Sequence, residues 1–178
     1  MRILFSFLLL FSFSFSQTTF VTKSNISFFS SAPLEDISAV SNKLEGVVDF
    51  SSGEFFFRIP INTFIFPSSL MQKHFNEKYM ETEKYALSTF SGSFSDTINP
   101  IQNQINTVNA KGVLSMHGVN QNVNINTTIK INNDNIKFIS SFYVALEDFN
   151  IKKPKVVRLN IADTILVNVS GTLREQEQ

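Results

Sequence analysis

The chain has 178 residues, including 15 Lys and Arg, 15 Asp and Glu, 20 Phe and no Cys. This length suits one domain that buries its own core. The formal net charge of zero argues against a nucleic-acid-binding protein, because such proteins neutralise phosphates with surplus basic residues. The absence of Cys excludes thiolate metal sites, a Cys nucleophile and disulfide bonds. A hydrophobic content of 43% excludes a disordered chain.

Residues 1–16 have the layout of a secretory signal peptide. Arg2 supplies a positive charge, and the apolar run that follows is too short to span a bilayer. Small residues precede a cleavage position between Ser16 and Gln17. We therefore predict a mature, periplasmic or secreted domain over residues 17–178, in which no segment is long and apolar enough to span a membrane.

Most of the mature chain is predicted to form β-strands. From Val119 to Asn132, mostly apolar side chains alternate with mostly Asn side chains, which is typical of a long strand with one wet face. An Asn-rich turn and a second alternating stretch, Ile136–Leu146, complete an antiparallel hairpin. The other candidate strands are residues 25–30, 37–44, 46–50, 55–61, 87–94, 107–116 and 159–173. About eight strands can close into a barrel or fold as a sandwich.

One segment, Ser68–Glu83, departs from the strand pattern. Apolar and aromatic residues recur in it at spacings of three and four, which is typical of a helix. Ser69 with Gln72 three residues later resembles a capping box, and Pro67 suits the entrance to a helix. We therefore predict a single short helix that covers one end of the strand structure.

Signatures of catalysis and of metal binding are absent from the sequence. The two histidines, His74 and His117, lack the spacing that a zinc site requires, and no phosphate-binding glycine loop or nucleophile elbow occurs. Glu81 and Glu83 do not face each other on a helix, because they are two residues apart. His117 precedes Gly118 where two strands would turn, so we interpret it as a structural residue. We expect no catalytic residue, no metal and no cofactor.

The order and spacing of several segments resemble the YceI-like family of exported lipid-binding proteins. The segments that carry the resemblance are Ile26–Ser30, Pro33–Ile37, Leu70–Met80, Gly112–Val119, Phe142–Phe149 and Ile161–Ile165. The resemblance implies an all-β fold, an antiparallel, lipocalin-like β-barrel of about eight strands with the short helix capping one end. It also implies that the barrel holds a long isoprenoid or a similar amphiphile. The first strand, with Phe28-Phe29-Ser30-Ser31, lacks the histidine that many members carry, so a smaller cavity or another class of ligand stays open.

Three functions are compatible with these observations. The first is a carrier that sequesters a long-chain lipid or isoprenoid among Phe, Ile and Val side chains. Its predicted cavity wall, with two helix residues closing one end, consists of Phe55, Phe57, Ile59, Ile61, Leu70, Phe75, Phe90, Leu114, Val123, Ile125, Phe142, Ile165 and Val167. The second is a structural or interaction module with a filled barrel, because a solid core has the same residue pattern. The third, an enzyme, lacks any supporting constellation. The sequence leaves a homodimer open.

Overall fold

The computed structural model describes residues 18–96, 98, 103–132, 135–154 and 159–175. The predicted signal peptide and its cleavage position lie outside the described residues. Within the described ranges, no helix combines the length and the apolar character needed to cross a membrane.

Among the described residues, nine strands form a single antiparallel sheet. Their bounds are β1 Thr18–Ser31, β2 Asp36–Ser41, β3 Glu45–Asp49, β4 Glu54–Pro60, β5 Leu87–Ser93, β6 Gln104–Met116, β7 Val119–Asn132, β8 Asn135–Ala145 and β9 Thr164–Glu175. Consecutive strands from β3 to β9 are neighbours, and β1 pairs with both β3 and β9. The sheet therefore closes as an eight-stranded antiparallel barrel, which confirms the predicted fold class.

The strand outside the closed ring is β2. It pairs with Ile26–Ser31 of β1, whereas β3 pairs with Thr18–Phe20 farther along the same edge. A bridge between Val40 and Ile65 joins β2 to the segment that precedes the helix. As a result, β2 covers the part of β1 that β3 does not reach.

β1 begins at Thr18, well before its predicted start at residue 25. Its pairing with β9 changes register between Val21 and Lys23, as at a β-bulge. A bulge interrupts the alternation of inward and outward side chains. The period-two pattern of the sequence consequently does not reveal the first part of this strand.

Two glycines face each other across the hairpin of β5 and β6. Gly92 lies opposite Gly112, between inward-facing residues on both strands. A Cβ on Gly92 would overlap the carbonyl oxygen of Lys111, and a Cβ on Gly112 would overlap that of Ser91. The two backbones can approach this closely because neither strand carries a side chain here.

The helix, α1 (Ser69–His74), continues as a π-helical turn, Phe75–Tyr79. Glu81, two residues later, has a positive φ of 44°, so the helical segment ends before the predicted Glu83. Met71, Phe75 and Tyr79 pack against the barrel core. The helix therefore caps one end of the barrel, as predicted.

Ser68 is the N-cap of α1. Its Oγ accepts a hydrogen bond from the backbone N–H of Met71 (3.4 Å). The Oε1 of Gln72 accepts a hydrogen bond from the backbone N–H of Phe66 (3.4 Å). The predicted capping box of Ser69 and Gln72 is therefore wrong by one residue at its start, and Gln72 binds the segment that leads into the helix.

The two ends of the barrel are closed by different structures. The end that we call the helix end carries α1, the turn 32–35 between β1 and β2, the turn 117–118 between β6 and β7, and the connection from β8 to β9. The opposite end, the far end, carries the start of β1 and the turn 50–53 between β3 and β4. Each cavity described below lies nearer to one of these ends.

Candidate ligand-binding cavities

The larger cavity lies at the helix end of the barrel and has a volume of about 280 Å³. Its wall combines strand residues with side chains from the helix and from the connecting segments. The residues that line it are Ile26, Phe28, Ser30, Glu35, Ile37, Ile59, Ile61, Phe64, Phe66, Met71, His74, Phe75, Tyr79, Met80, Ser88, Leu114, Met116, Phe142, Val144, Leu146, Ile151, Asn160, Ile161, Ile165 and Val167. Most of these side chains are apolar, as in sites for small apolar ligands.

A smaller cavity of about 130 Å³ lies toward the far end. Almost all of its wall comes from inward-facing strand residues. The residues that line it are Ile26, Leu44, Val48, Phe55, Phe57, Arg58, Ile59, Ser88, Thr89, Phe90, Phe94, Val108, Ala110, Leu114, Ile125, Thr127, Ile129, Phe138, Ser140, Phe142, Val169 and Leu173. Aromatic pairs crowd this wall: the ring centroids of Phe55 and Phe90 are 4.8 Å apart, and those of Phe57 and Phe138 are 5.5 Å apart.

Five residues line both cavities, and we call them the waist. They are Ile26, Ile59, Ser88, Leu114 and Phe142. Ser88 has the one polar side chain among these five. Its hydroxyl donates to the backbone carbonyl of Ser115 (2.8 Å). The two cavities therefore adjoin along these mainly apolar side chains inside the barrel.

All but two of the residues predicted for the cavity wall line one of the cavities. Ile61, Phe75, Ile165 and Val167 line the larger one, and Phe55, Phe57, Phe90 and Ile125 line the smaller one. Ile59, Leu114 and Phe142 lie at the waist. Leu70 and Val123 line neither cavity.

Leu70 lies on the outer side of α1, with 61% of its surface exposed. Leu70 and Phe75 are five residues apart, which separates their directions on a helix by roughly 140°. The two side chains therefore do not close the barrel together, and Met71 takes the inward position expected for Leu70. Val123 packs against the core as a partly buried side chain of β7.

An aromatic cluster at the helix end was not anticipated from the sequence. The ring centroid of Phe28 lies 5.4 Å from that of Phe64, 5.6 Å from that of Phe66 and 5.5 Å from that of Phe75. Phe64 and Phe66 alternate around the exposed Ile65 in a short segment between β4 and α1. That alternation was the available signal, but it is too short to indicate a strand by itself.

Several polar side chains lie in the wall of the larger cavity. The Nδ2 of Asn160 donates to the Oε2 of Glu35 at 3.4 Å, although these residues are far apart in sequence. Ser30 accepts a hydrogen bond from the backbone N–H of Ala162 at its Oγ (2.9 Å). Burial raises the pKa of the Tyr79 phenol above its ordinary value, which favours the neutral, hydrogen-bond-donating form.

His117 joins three segments at the helix end. Its Nδ1 lies 2.9 Å from the backbone oxygen of Phe149, and its Nε2 lies 2.9 Å from the Oε2 of Glu81. Its ring also packs edge-on against Tyr85, with the centroids 4.6 Å apart. His117 has a positive φ of 52° in the turn before Gly118. These contacts fit the structural role predicted for it.

No group of three His, Asp or Glu side chains that could hold a metal ion occurs in the part of the chain that the structure describes. The cavities are suited to enclose an apolar chain, because most of their lining side chains are apolar and only a few in each wall are polar. Such an arrangement can desolvate a ligand and orient it by its polar part.

The sequence and the fold both match known proteins. A family model for the YceI-like domain matches residues 17–173. No curated protein matches the sequence. Among solved structures, a polyisoprenoid-binding domain from Saccharophagus degradans, implicated in plant cell wall breakdown, superimposes with a TM-score of 0.76 and 15% identity. That match covers 90% of this chain and 99% of the other.

Two further structures share the architecture. BcnA from Burkholderia cenocepacia has a TM-score of 0.71 and 16% identity, covering 84% of this chain and 95% of its own. The YceI protein of Campylobacter jejuni has a TM-score of 0.60 and 15% identity, covering 99% and 94%. At such low identity these structures support the fold, whereas the family model covers almost the whole sequence. The chain therefore belongs to the YceI-like family.

Proposed function

We propose that this protein is an exported carrier that sequesters a long-chain, isoprenoid-like lipid inside its barrel. The observation that carries the proposal is the pair of apolar cavities that meet at the waist. A barrel with a solid core would not leave a 280 Å³ space lined by Phe, Ile and Val side chains.

The comparisons support the same class of ligand. The matching domain from Saccharophagus degradans is described as a polyisoprenoid-binding domain. The sequence of residues 1–16 supports export, since it has the charge and the apolar run of a signal peptide.

Burial of the lipid tail would provide most of the binding free energy. Each buried methylene contributes about 0.8 kcal/mol, so a tail that buries roughly ten carbons gains on the order of 8 kcal/mol. Ordering the tail and the protein offsets part of this gain. Binding by this means needs no catalytic group and no metal.

Native mass spectrometry tests the proposal directly. Protein produced from the full-length sequence is purified after export without detergent, and its mass is compared with the calculated mass. We expect an additional mass that organic extraction resolves into a long-chain lipid. A bare mass that does not change after incubation with isoprenoid alcohols would contradict the proposal and favour a filled structural module.

A pair of variants locates the ligand. Val167 lies in the wall of the larger cavity, whereas the next residue of β9, Asn168, is exposed. Val167→Trp should fill the cavity and abolish loading, whereas Asn168→Trp should retain it. Circular dichroism verifies that both variants are folded. Equal loading of both folded variants would mean that the lipid does not occupy this cavity.

A further inference from the structure

The larger cavity has a chemically distinct corner, formed where the turn between β1 and β2 meets the connection that leads into β9. Glu35 comes from the turn, and Asn160 comes from the connection. The backbone N–H of Leu34 donates to the carbonyl of Leu159 (3.0 Å), which fixes the two segments side by side. Glu35 and Asn160 are therefore held in the wall of a mainly apolar cavity.

Glu35 is half-buried, and its carboxylate accepts a hydrogen bond from the Nδ2 of Asn160 (3.4 Å). A carboxylate has two oxygens that can together accept several hydrogen bonds. One amide at 3.4 Å leaves further acceptor capacity on a side chain that lines the cavity. Near apolar walls, an electrostatic hydrogen bond to such an oxygen is stronger than in water.

A cation in the same connection is already engaged. Lys153 forms an ion pair with Asp163 and donates to the backbone carbonyl of Ile161 (2.8 Å). His74, which also lines the cavity, can donate or accept through its ring nitrogens. The cavity wall thus contains a carboxylate acceptor at the corner and, on α1, an imidazole that suits either role.

A carboxylate in this position would interact differently with the head groups of amphiphiles that have the same tail. A phosphate ester is negatively charged, so it would repel the Glu35 carboxylate and could not donate to it. An alcohol or an amine would donate a charge-assisted hydrogen bond to the same oxygen. Such a repulsive element against one ligand is a usual source of specificity.

We propose that Glu35, together with Asn160, selects lipids whose head group donates a hydrogen bond and rejects lipids that end in phosphate. This inference rests on the proposed function, because it assigns the polar part of the cargo to a corner of the same cavity. The tail would then extend from the helix end toward the waist.

Two probes with the same tail test the selection. Farnesol and farnesyl phosphate are titrated separately into delipidated protein, and the two dissociation constants are measured by isothermal titration calorimetry. We expect farnesol to bind at least about tenfold more tightly, a difference of roughly 1.4 kcal/mol. Equal or tighter binding of farnesyl phosphate would overturn the selection but not the carrier function. Failure of both probes to bind would contradict the carrier function as well.

Charge reversal at two adjacent residues distinguishes an effect of Glu35 itself from an effect of the general surface charge. Glu35→Lys should reverse the preference, whereas Asp36→Lys, which makes the same charge change at an exposed residue, should leave it unchanged. Glu35→Gln keeps the shape of the side chain but removes its charge. This variant should weaken binding of farnesol several-fold and bring the dissociation constants of farnesol and farnesyl phosphate closer together. An equal change of the ratio in both lysine variants, or an unchanged ratio in Glu35→Gln, would overturn the assignment to Glu35.

Discussion

The two halves of the barrel interior are built in different ways. Toward the far end, the wall consists mainly of inward-facing strand residues, and aromatic pairs such as Phe55 with Phe90 pack against each other. Toward the helix end, the wall also contains residues from a helix, from turns and from a long connection, and more than twice the volume stays open. Strands pack at fixed spacings, whereas connecting segments can enclose a space without filling it.

This difference indicates a division of roles. The far half has the features of a core that stabilises the fold, and the helix half has the features of a binding site. Substitutions in the far half should therefore lower the free energy of unfolding most, whereas substitutions in the helix half should change it less.

The largest expected effect is a difference in stability between alanine variants at Phe138 and Phe75. Phe138 is buried in the far half, so Phe138→Ala should lower the free energy of unfolding by about 3–5 kcal/mol. Phe75 is only partly buried beside the larger cavity, and Phe75→Ala should lower the free energy of unfolding by clearly less. Urea denaturation of the two variants measures both effects. Equal losses in the free energy of unfolding of the two variants would contradict the proposed division of the interior.

The glycine contact between β5 and β6 should have the next largest effect. A methyl group at position 112 would overlap the carbonyl oxygen of Ser91, so Gly112→Ala should destabilise the fold by about 1–3 kcal/mol. Val113, the next residue, is 37% exposed and provides the control variant Val113→Ala. If both variants had the same urea midpoint, the close approach of the strands would not matter for stability.

Substitution of His117 measures how much its contacts stabilise the helix end of the barrel. His117→Asn keeps a residue that tolerates a positive φ but removes the contacts with Glu81 and the Phe149 carbonyl. We expect a loss of about 1–2 kcal/mol in the free energy of unfolding. Glu81→Asn, which removes only one of the two contacts, should lose less. A larger loss in Glu81→Asn would point to another role for that residue.

The smallest expected effect is a pH dependence due to Tyr79. Because burial raises the pKa of this phenol in the folded state, the folded protein holds the proton more tightly than the unfolded chain does. The resulting stabilisation is present below about pH 10, the ordinary pKa of tyrosine, and is lost as the pH rises above it. Tyr79→Phe should therefore lose less stability on alkaline titration than the parent protein. Tyr143→Phe, at a residue that is 72% exposed, provides the control variant.

The strand-built part of the molecule could be predicted from the sequence, because inward and outward residues alternate along each strand. Thus β7 is observed at its predicted bounds, Val119–Asn132, and Phe55, Phe57 and Ile59 face the interior. The prediction failed where this periodicity is interrupted, as at the bulge near Val21.

The helix half could be predicted only in outline. The spacing of apolar residues indicated a helix, but the π-helical turn and the early end at Glu81 depend on contacts with the barrel. The meeting of Glu35 and Asn160 depends on how two distant connections pack. Periodicity carries no information about such contacts, since neither residue belongs to a strand or a helix.

The helical segment that borders the larger cavity contains no fully buried residue. Segments with few buried contacts open at a lower free energy than a paired sheet does, and they open without unfolding the rest of the domain. Under the proposed carrier function, opening of residues 69–79 would set the rate at which cargo enters and leaves, whereas the cavities behind them would set the affinity. Residence time and affinity can thus be adjusted by substitutions in different parts of the chain.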